Sequence, residues 1–543
     1  MTPRASRALF AVVLFFAVCA VAGTVLQRKV GAESSADESQ LRDSLKSFDN
    51  VYALVEKNYA EPLEGDKADT AIYDGAIPGM LRVLDPHSSF YDPKAYAKMR
   101  EEQHGHYYGV GMTIQPLNGK VYVLYPFEGT PSFKAGIHPG DVISAVDGKP
   151  VALDAKGPGA LNSTDSVAKA LKGPQGTHVV ATMIREGQSK PLVFDLVRDE
   201  IPHPSVDLAY EIRKGVGYIH LTQFQEDTAE DVINTIDSMG NLKGLIFDLR
   251  GNPGGLLSQA VEVCDHLLSK GQIIVSQHGR AYPDQEYTVR RGNGGKSFPI
   301  VVLVNRGTAS AAEIVSGALQ DHDRALIVGE TTFGKGLVQT VYNLSDNTGL
   351  ALTTFHYYTP SGRLIQRNYT GVSLYDYYSH GGTAPADNAS REVKLTDAGR
   401  TVYGGGGITP DEKIESPKSS HFQDSLLYKD VFFLFAPVYL SNRTVDKNFQ
   451  VDNAVLGEFK KFLASQNVPY TEADLNGCMD WLKTSIKDKI VTIQFGETEG
   501  LRTRADWDPE IQKALTFLPE AQALEDNVHK VMTEKAEARN EAP

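Results

Sequence analysis

The sequence predicts a multidomain α/β protein with helical segments at both ends. Its 543 residues are too many for one compact domain. Apolar runs of strand length flank an amphipathic helical pattern between residues 299 and 344. Apolar residues also recur at helical spacing before residue 100 and after residue 418. Together these patterns indicate an α/β core with helical additions.

Composition narrows the class of protein. With 41% hydrophobic and 22% charged residues, the chain is typical of globular proteins. A formal net charge of -14 argues against nucleic acid as the main partner. No set of histidines and cysteines has the spacing of zinc ligands, so we expect no metal site.

Residues 1–30 have the pattern of a signal peptide or a signal anchor. Arg4 and Arg7 precede an apolar run from Ala8 to Leu26, and Ala20-Val21-Ala22 fits a signal-peptidase site. The run is also long enough to span a bilayer. We therefore expect an exported protein of the periplasm or the outer face of the cytoplasmic membrane, with or without a membrane anchor.

A helical unit is predicted over residues 38–100. Its first helix, LRDSLKSFDNVYALVEKNY, carries an apolar side formed by Leu45, Phe48, Val51, Leu54 and Val55. A second helical stretch leads into Leu84-Asp-Pro-His-Ser88. A structural role beside this proline turn is predicted for His87.

Short strands follow over residues 104–198, and AGIHPGDVISAVDG, Ala135 to Gly148, resembles the most recognisable part of a PDZ domain. In PDZ domains a glycine-containing loop binds a peptide's C-terminal carboxylate through N–H groups, while the peptide adds as a strand beside a helix. The resemblance implies a loop formed by Tyr108, Gly109, Val110 and Gly111 and a groove lined by Val167 and Leu171.

The core is predicted over residues 205–417, and one stretch of it places a serine at the start of a helix. Pro299 to Val304 is an apolar run of strand length, and apolar residues at helical spacing begin at Ile314. Ser310 therefore falls near the N-terminus of this helix, where free N–H groups such as that of Ala311 could receive an oxyanion. This position suits a nucleophile.

A lysine follows the next predicted strand, residues 325–329. Lys335 lies between two glycines, which let the main chain approach another group closely. Burial disfavours the charged form of a lysine, lowers its pKa and so makes it a usable base. Gln339 could hold the amine through its side-chain carbonyl. A dyad of Ser310 and Lys335 needs no histidine.

Three other interpretations compete with this dyad. GETTFGK fits the glycine and lysine spacing of a phosphate-binding loop, but Gly336 stands where that loop needs a hydroxyl. Ser166 and Lys169 form the SxxK pattern of penicillin-binding enzymes without its companion motifs. Ser310 and Lys335 could also be a turn hydroxyl and a surface cation.

A longer pattern favours the dyad. NRGTASAAEIVSGALQD, followed by RALIVGETTFGKGLVQ, resembles the core of the C-terminal processing peptidases, also called tail-specific proteases. The resemblance implies that Ser310 is the nucleophile, Lys335 the general base and Gln339 the residue that positions the lysine. In the segment GLIFDLRGNPGG it implies a second oxyanion donor, Gly254 or Gly255.

The family resemblance covers about residues 45–415. It implies a crotonase/ClpP-like serine protease core that follows an N-terminal helical unit and a PDZ domain. It also implies that the substrates are proteins or peptides with free C-termini, that no cofactor is needed, and that the chain could form a homo-oligomer. The alternative function is a catalytically inactive PDZ scaffold that binds envelope proteins.

Residues 418–543 lie beyond the resemblance. The stretches LLYKDVFFLFAPVYL, VLGEFKKFLASQN and MDWLKTSIKDKI are amphipathic enough at helical spacing to bury one face each. We therefore predict a C-terminal helical appendage, whose role is not legible in the sequence.

Overall fold

The computed structural model describes residues 41–61, 66–154, 159–379, 391–415, 417–441 and 443–541. The chain divides into two compact units, residues up to Val83 and residues from Leu84 onward. The predicted signal or anchor segment, residues 1–30, lies outside the described residues. Among the helices of the described ranges, none is long and apolar enough to cross a membrane.

The first unit is helical. Its elements are α1 (41–58), α2 (Asp66–Thr70), a π-helical segment (Ala71–Ala76) and α3 (Ile77–Arg82). The apolar side of α1 is exposed at Leu45, Phe48, Val51, Leu54 and Val55. The periodicity thus predicted the helix but not the exposure of its apolar side.

The second unit begins with a small β domain. Its elements are β1 (Ser89–Tyr91), α4 (Pro93–His104), β2 (His106–Gly109), β3 (Met112–Leu117), β4 (Lys120–Pro126), α5 (Pro131–Lys134), β5 (Val142–Val146), β6 (Lys149–Pro150), α6 (Thr164–Leu171), β7 (His178–Ile184), β8 (Leu192–Val197) and β9 (Asp199–Pro202). β3, β4, β5, β7 and β8 form an antiparallel sheet in that order. Helix α6 contributes Val167 and Leu171 to the core beneath this sheet.

A larger α/β core follows. Its elements are β10 (Val206–Arg213), β11 (Val216–Leu221), α7 (Thr228–Ser238), β12 (Gly244–Asp248), α8 (Leu257–Leu267), β13 (Ile273–His278), β14 (Gln285–Thr288), β15 (Ile300–Val304), α9 (Ala311–Asp321), β16 (Leu326–Gly329), β17 (Leu337–Asn343), β18 (Gly349–Tyr358), α10 (Leu374–Ser379), β19 (Val393–Leu395), β20 (Thr401–Tyr403) and β21 (Glu412–Lys413).

Two sheets organise this core. The first has the order β10-β11-β12-β15-β16-β21, with every pair from β11 to β21 parallel. β12 and β15 are buried along their whole length, which explains why they are continuous apolar runs. The second sheet has the order β1-β18-β13-β14, and β17 pairs with β18. Helices α7, α8 and α9 pack against one face of the first sheet.

Within its described residues, the C-terminal region forms eight helices. These are α11 (His421–Tyr428), α12 (Val431–Leu440), α13 (Asn453–Ser465), α14 (Glu472–Gly477), α15 (Met479–Phe495), α16 (Glu497–Ala505), α17 (Pro509–Thr516) and α18 (Leu518–Glu541). Helices α11 to α15 share a hydrophobic core of their own. Helices α17 and α18 instead cover the second face of the parallel sheet, where Ile511 and Ala521 pack in one cluster with Ile246 and Val301. Part of the predicted appendage is therefore a layer of the core.

Candidate active site

Ser310 lies in the turn between β15 and α9. Its backbone angles, φ 54° and ψ -116°, are strained for any residue except glycine. The N–H group of Ala312 donates to the carbonyl oxygen of Ala309 at 3.1 Å and closes the turn around the serine. Strain of this kind costs about 1–3 kcal/mol and concentrates at functional sites.

Glu313, in the first turn of α9, joins the serine segment to the lysine segment. Its carboxylate is fully buried. One oxygen, Oε2, accepts hydrogen bonds from the main-chain N–H of Ser310 at 2.9 Å and from that of Lys335 at 2.8 Å. The turns that follow β15 and β16 therefore meet at a single atom, and the predicted nucleophile and base belong to the same site.

The second oxygen of Glu313 holds the rest of the lysine turn. Oε1 accepts from the N–H of Gly334 at 2.7 Å and from the hydroxyl of Thr332. Burial raises the pKa of Glu313, while these donated hydrogen bonds act in the opposite direction. Sequence motifs did not single out Glu313, although Ser310-x-x-Glu313 has the spacing of a capping box.

Lys335 lies where the main chain has no room for a neighbouring side chain. A Cβ atom on Gly334 would come within 2.8 Å of the nitrogen of Gly407, and one on Gly336 would come within 2.9 Å of the nitrogen of Gln366. Burial lowers the pKa of the Lys335 amine, and the charges of Glu313 and of a nearby aspartate act against this shift. A lowered pKa is what a lysine needs to act as a base near neutral pH.

Gln339 lies on β17 at an irregularity in its pairing with β18. The register shifts between Val338 and Gln339, and such bulges re-aim side chains near active sites. The amide nitrogen of Gln339 donates to Oγ1 of Thr353 at 3.1 Å. Its carbonyl oxygen has no hydrogen-bond partner within the described part of the chain and so remains able to accept from an amine.

The glycine turn after β12 packs directly against the serine. A Cβ atom on Gly254 would lie 2.8 Å from Cβ of Ser310 and 2.9 Å from the nitrogen of Ala311. The N–H group of Gly254, however, already donates to Oδ1 of Asn252 at 2.8 Å. The N–H groups of Gly255 and Ala311 have no partner among the residues that the structure describes. Of the two glycines, Gly255 is therefore the one with a free donor, while Gly254 provides space.

His87 lies among aromatic side chains beside the lysine turn. Its Nε2 shares a hydrogen bond with the hydroxyl of Tyr377 at 2.8 Å, and its ring makes an edge contact with Phe333. Burial and the charge of Lys335 lower the pKa of His87 to about 4. The imidazole is consequently neutral near pH 7, which fits the structural role predicted for it.

The predicted carboxylate-binding loop packs closely against Thr130. Gly111 has φ 78°, and a Cβ atom there would lie 2.4 Å from Cβ of Thr130. The carbonyl groups of Val110 and Gly111 accept from Ser132 and Phe127, both at 2.9 Å. The N–H groups of Val110 and Gly111 point to no acceptor in the described ranges. The roles of Tyr108 and Gly109, which end β2, stay predictions.

The predicted groove residues Val167 and Leu171 lie in the core of the β domain. Only 0% and 4% of their surfaces are exposed. A peptide could contact these side chains only if α6 moved away from β3. Their role in binding therefore stays a prediction, and it requires such a movement.

The structure also argues against the phosphate-binding loop and the SxxK motif as alternative interpretations. Lys335 leads into strand β17, whereas the lysine of a phosphate-binding loop starts a helix. Ser166 and Lys169 lie on α6, where the hydroxyl of Ser166 donates to the carbonyl of Ser163 within a capping box. Neither segment offers the chemistry of the motif that it resembles.

An α/β core with a strained serine, adjoining a PDZ domain, defines a class: the serine-type peptidases that carry a PDZ domain. The model of peptidase family S41 matches residues 215–373, and that of the PDZ domain matches residues 109–193. The chain belongs to peptidase family S41, among the carboxy-terminal processing proteases, and its predicted family and fold class are confirmed.

Two sequence relatives support this assignment. The carboxy-terminal-processing protease of Bartonella bacilliformis is 39% identical over 365 residues, which are 65% of this chain and 80% of that protein. The carboxy-terminal processing protease CtpA of Bacillus subtilis is 33% identical over 408 residues, 73% of this chain and 82% of that protein. A solved structure, the photosystem II D1 C-terminal processing protease, matches with 28% identity and a TM-score of 0.34, covering 68% of this chain and 92% of that chain.

Proposed function

We propose that this peptidase is exported, recognises the C-terminal tails of proteins through its PDZ domain, and cleaves them with a dyad of Ser310 and Lys335. The observation that carries the proposal is the shared hydrogen-bond acceptor, Oε2 of Glu313, which ties the serine and lysine turns together. The relatives' names, which specify carboxy-terminal processing, support the choice of substrate.

The dyad performs acyl transfer in two steps. The neutral amine of Lys335 takes the proton of the Ser310 hydroxyl while Oγ attacks the substrate carbonyl. The N–H groups of Ala311 and Gly255 donate to the oxyanion, and the lysine then gives its proton to the departing amine. In the second step water attacks the acyl-enzyme while Lys335 accepts a proton from it, the ester bond to Oγ of Ser310 breaks, and Lys335 returns the proton to Oγ. Ser310 is thereby regenerated.

Burial favours a neutral lysine before the reaction. Burial lowers the pKa of the amine, and a buried cation is costly unless its charge is paired. The free carbonyl of Gln339 can accept a hydrogen bond from the amine and direct its lone pair toward Ser310.

Tail recognition relies on the unpartnered N–H groups of Val110 and Gly111. These groups can bind a terminal carboxylate, while the rest of the peptide adds beside β3. A substrate with an amidated C-terminus should therefore be cleaved more slowly than the same substrate with a free carboxylate, and Gly111→Ala should remove that difference.

The proposal is tested with the full-length protein in detergent and an unstructured substrate protein with an apolar C-terminus. We expect cleavage by the parent and none by Ser310→Ala or Lys335→Arg, since arginine stays protonated near neutral pH. Binding without cleavage by all three would instead support the scaffold alternative. Export is tested by fusing residues 1–40 to an enzyme that is active only outside the cytoplasm; an inactive fusion would refute it.

A further inference from the structure

The turn at residues 84–88 precedes β1 and belongs to the same compact unit as the dyad. Asp85 is 7% exposed and holds this turn together. Its Oδ1 accepts from the N–H groups of His87 at 2.7 Å and Ser88 at 2.8 Å, and its Oδ2 accepts from the Ser88 hydroxyl at 2.7 Å. Strand β1 then pairs with β18, beginning with Ser89 opposite Ala351.

A chain of hydrogen bonds leads from this turn to Gln339. The main-chain N–H of Thr353 donates to Oγ of Ser88 at 3.1 Å. Oγ1 of the same threonine accepts from the amide nitrogen of Gln339, also at 3.1 Å. In this arrangement the amide nitrogen faces the threonine, and the carbonyl oxygen of Gln339 is left for the lysine.

The turn also carries a negative charge that acts on the proposed base. The carboxylate of Asp85 raises the pKa of the Lys335 amine, against the lowering effect of burial. In the described residues, the charged and titratable groups around the lysine turn and Asp85 include Glu313, Asp85, His87, Arg367, Tyr369, Tyr377 and Tyr378. Glu313 has main-chain donors on both oxygens, whereas Asp85 is held by its own turn and can be changed without detaching the serine or lysine segments.

We propose that Asp85, Ser88 and Thr353 are positioning residues of the Ser310–Lys335 reaction. Asp85 fixes Ser88, Ser88 fixes Thr353, and Thr353 orients the Gln339 amide toward the lysine. The carboxylate of Asp85 additionally favours the protonated amine, which holds the proton between attack and departure of the leaving group. This inference rests on the proposed dyad.

The test is the pH dependence of kcat/KM for the full-length enzyme. Removing a negative charge from the surroundings of an amine lowers its pKa, so Asp85→Asn should shift the acid limb of the profile about one pH unit lower. Ser88→Ala keeps the charge and breaks the chain, so it should lower kcat by about tenfold without moving the limb. Asp488→Asn, a matched change at a buried aspartate in α15, should do neither. An active Asp85→Asn enzyme with an unshifted limb would overturn the electrostatic part.

A second pair of variants covers the case in which Asp85→Asn does not fold. Thr353→Val has nearly the same shape and removes the acceptor of the Gln339 amide, whereas Thr353→Ser retains it. We expect the valine variant to lose as much kcat as Gln339→Ala, with no further loss in the double variant, and the serine variant to keep most activity. Equal activity of the valine and serine variants would refute the positioning role. If Ser310→Ala and Lys335→Arg lost activity but the variants of Asp85, Ser88 and Thr353 did not, the dyad would be supported and this inference refuted.

Discussion

The strongest test of the site is the substitution Glu313→Gln, which keeps the shape of the side chain and changes one acceptor into a donor. Each carboxylate oxygen of Glu313 accepts two hydrogen bonds: Oε2 from Ser310 and Lys335, Oε1 from Gly334 and Thr332. The side chain has no exposed surface. Water therefore cannot replace an acceptor that is lost.

The cost follows from these contacts. A glutamine has one oxygen, so its nitrogen must face two former donors. If the nitrogen faces Thr332, that hydroxyl can turn and accept from it, and only the N–H of Gly334 is left without a partner. A buried donor without a partner costs about 1–3 kcal/mol, so we expect the free energy of unfolding to fall by about 2 kcal/mol.

Activity should fall more steeply than stability. In that orientation the glutamine oxygen still accepts from Ser310 and Lys335, but the lysine turn loses its hydrogen bond at Gly334 and can shift, and a displacement of about 1 Å can cost about a hundredfold in rate. The measurements are kcat/KM on a tail peptide and the free energy of unfolding in urea. Glu525→Gln is the matched control, since Glu525 on α18 is also buried but pairs with Arg324. The control variant should lose stability and keep its kcat. A Glu313→Gln enzyme within threefold of the parent would refute the reasoning.

Three further outcomes are expected. Gly254→Ala should abolish cleavage, because the added methyl group would lie 2.7 Å from the oxygen of Ala309. The control is Gly251→Ala, since Gly251 also has a positive φ but a methyl group there would meet no atom within 4 Å. Equal kcat/KM for the two variants would contradict the prediction. Ser310→Gly should be more stable than Ser310→Ala by about 1 kcal/mol because glycine relieves the strained turn; urea unfolding compares them. The pKa of His87 is depressed to about 4, so its contribution to stability is complete above pH 6.5 and is lost as pH falls toward 4. Between pH 7 and pH 4.5, the free energy of unfolding of His87→Phe should therefore fall less than that of the parent. An equal fall would contradict this prediction.

Local patterns predicted the elements that carry the dyad. The apolar run before Ser310 forms β15, the stretch after it forms α9, and the strand before Lys335 is β16. These elements obey rules of periodicity and turn chemistry that act within a few residues. The parallel order β12-β15-β16 then brings their carboxyl ends to one edge of the sheet, where α/β proteins build sites.

Contacts between distant segments could not be predicted in this way. Local patterns do not single out Glu313, because three of its four partners lie 19 to 22 residues further along the chain. The N–H group of Gly254 donates to the side chain of Asn252, and this hydrogen bond depends on turn geometry that the sequence motif does not specify. Helices α17 and α18 lie outside the three amphipathic stretches that the sequence analysis singled out, and only the fold shows that they cover the parallel sheet.

The glycine turn gains its rigidity from both sides of the molecule. On one side, the amide of Asn252 donates to the carbonyl of Leu221 at 2.9 Å, which anchors the turn to β11. On the other, the guanidinium of Arg250 is held by Asp248 at the end of β12 and by Glu510 at 2.8 Å, in the first turn of α17. An oxyanion donor stabilises a transition state only if it is already in place, since reorganisation during the reaction would offset the gain. The C-terminal helices therefore reach the proposed oxyanion site indirectly: through Glu510 they hold the arginine that begins the glycine turn, and this turn packs against Ser310.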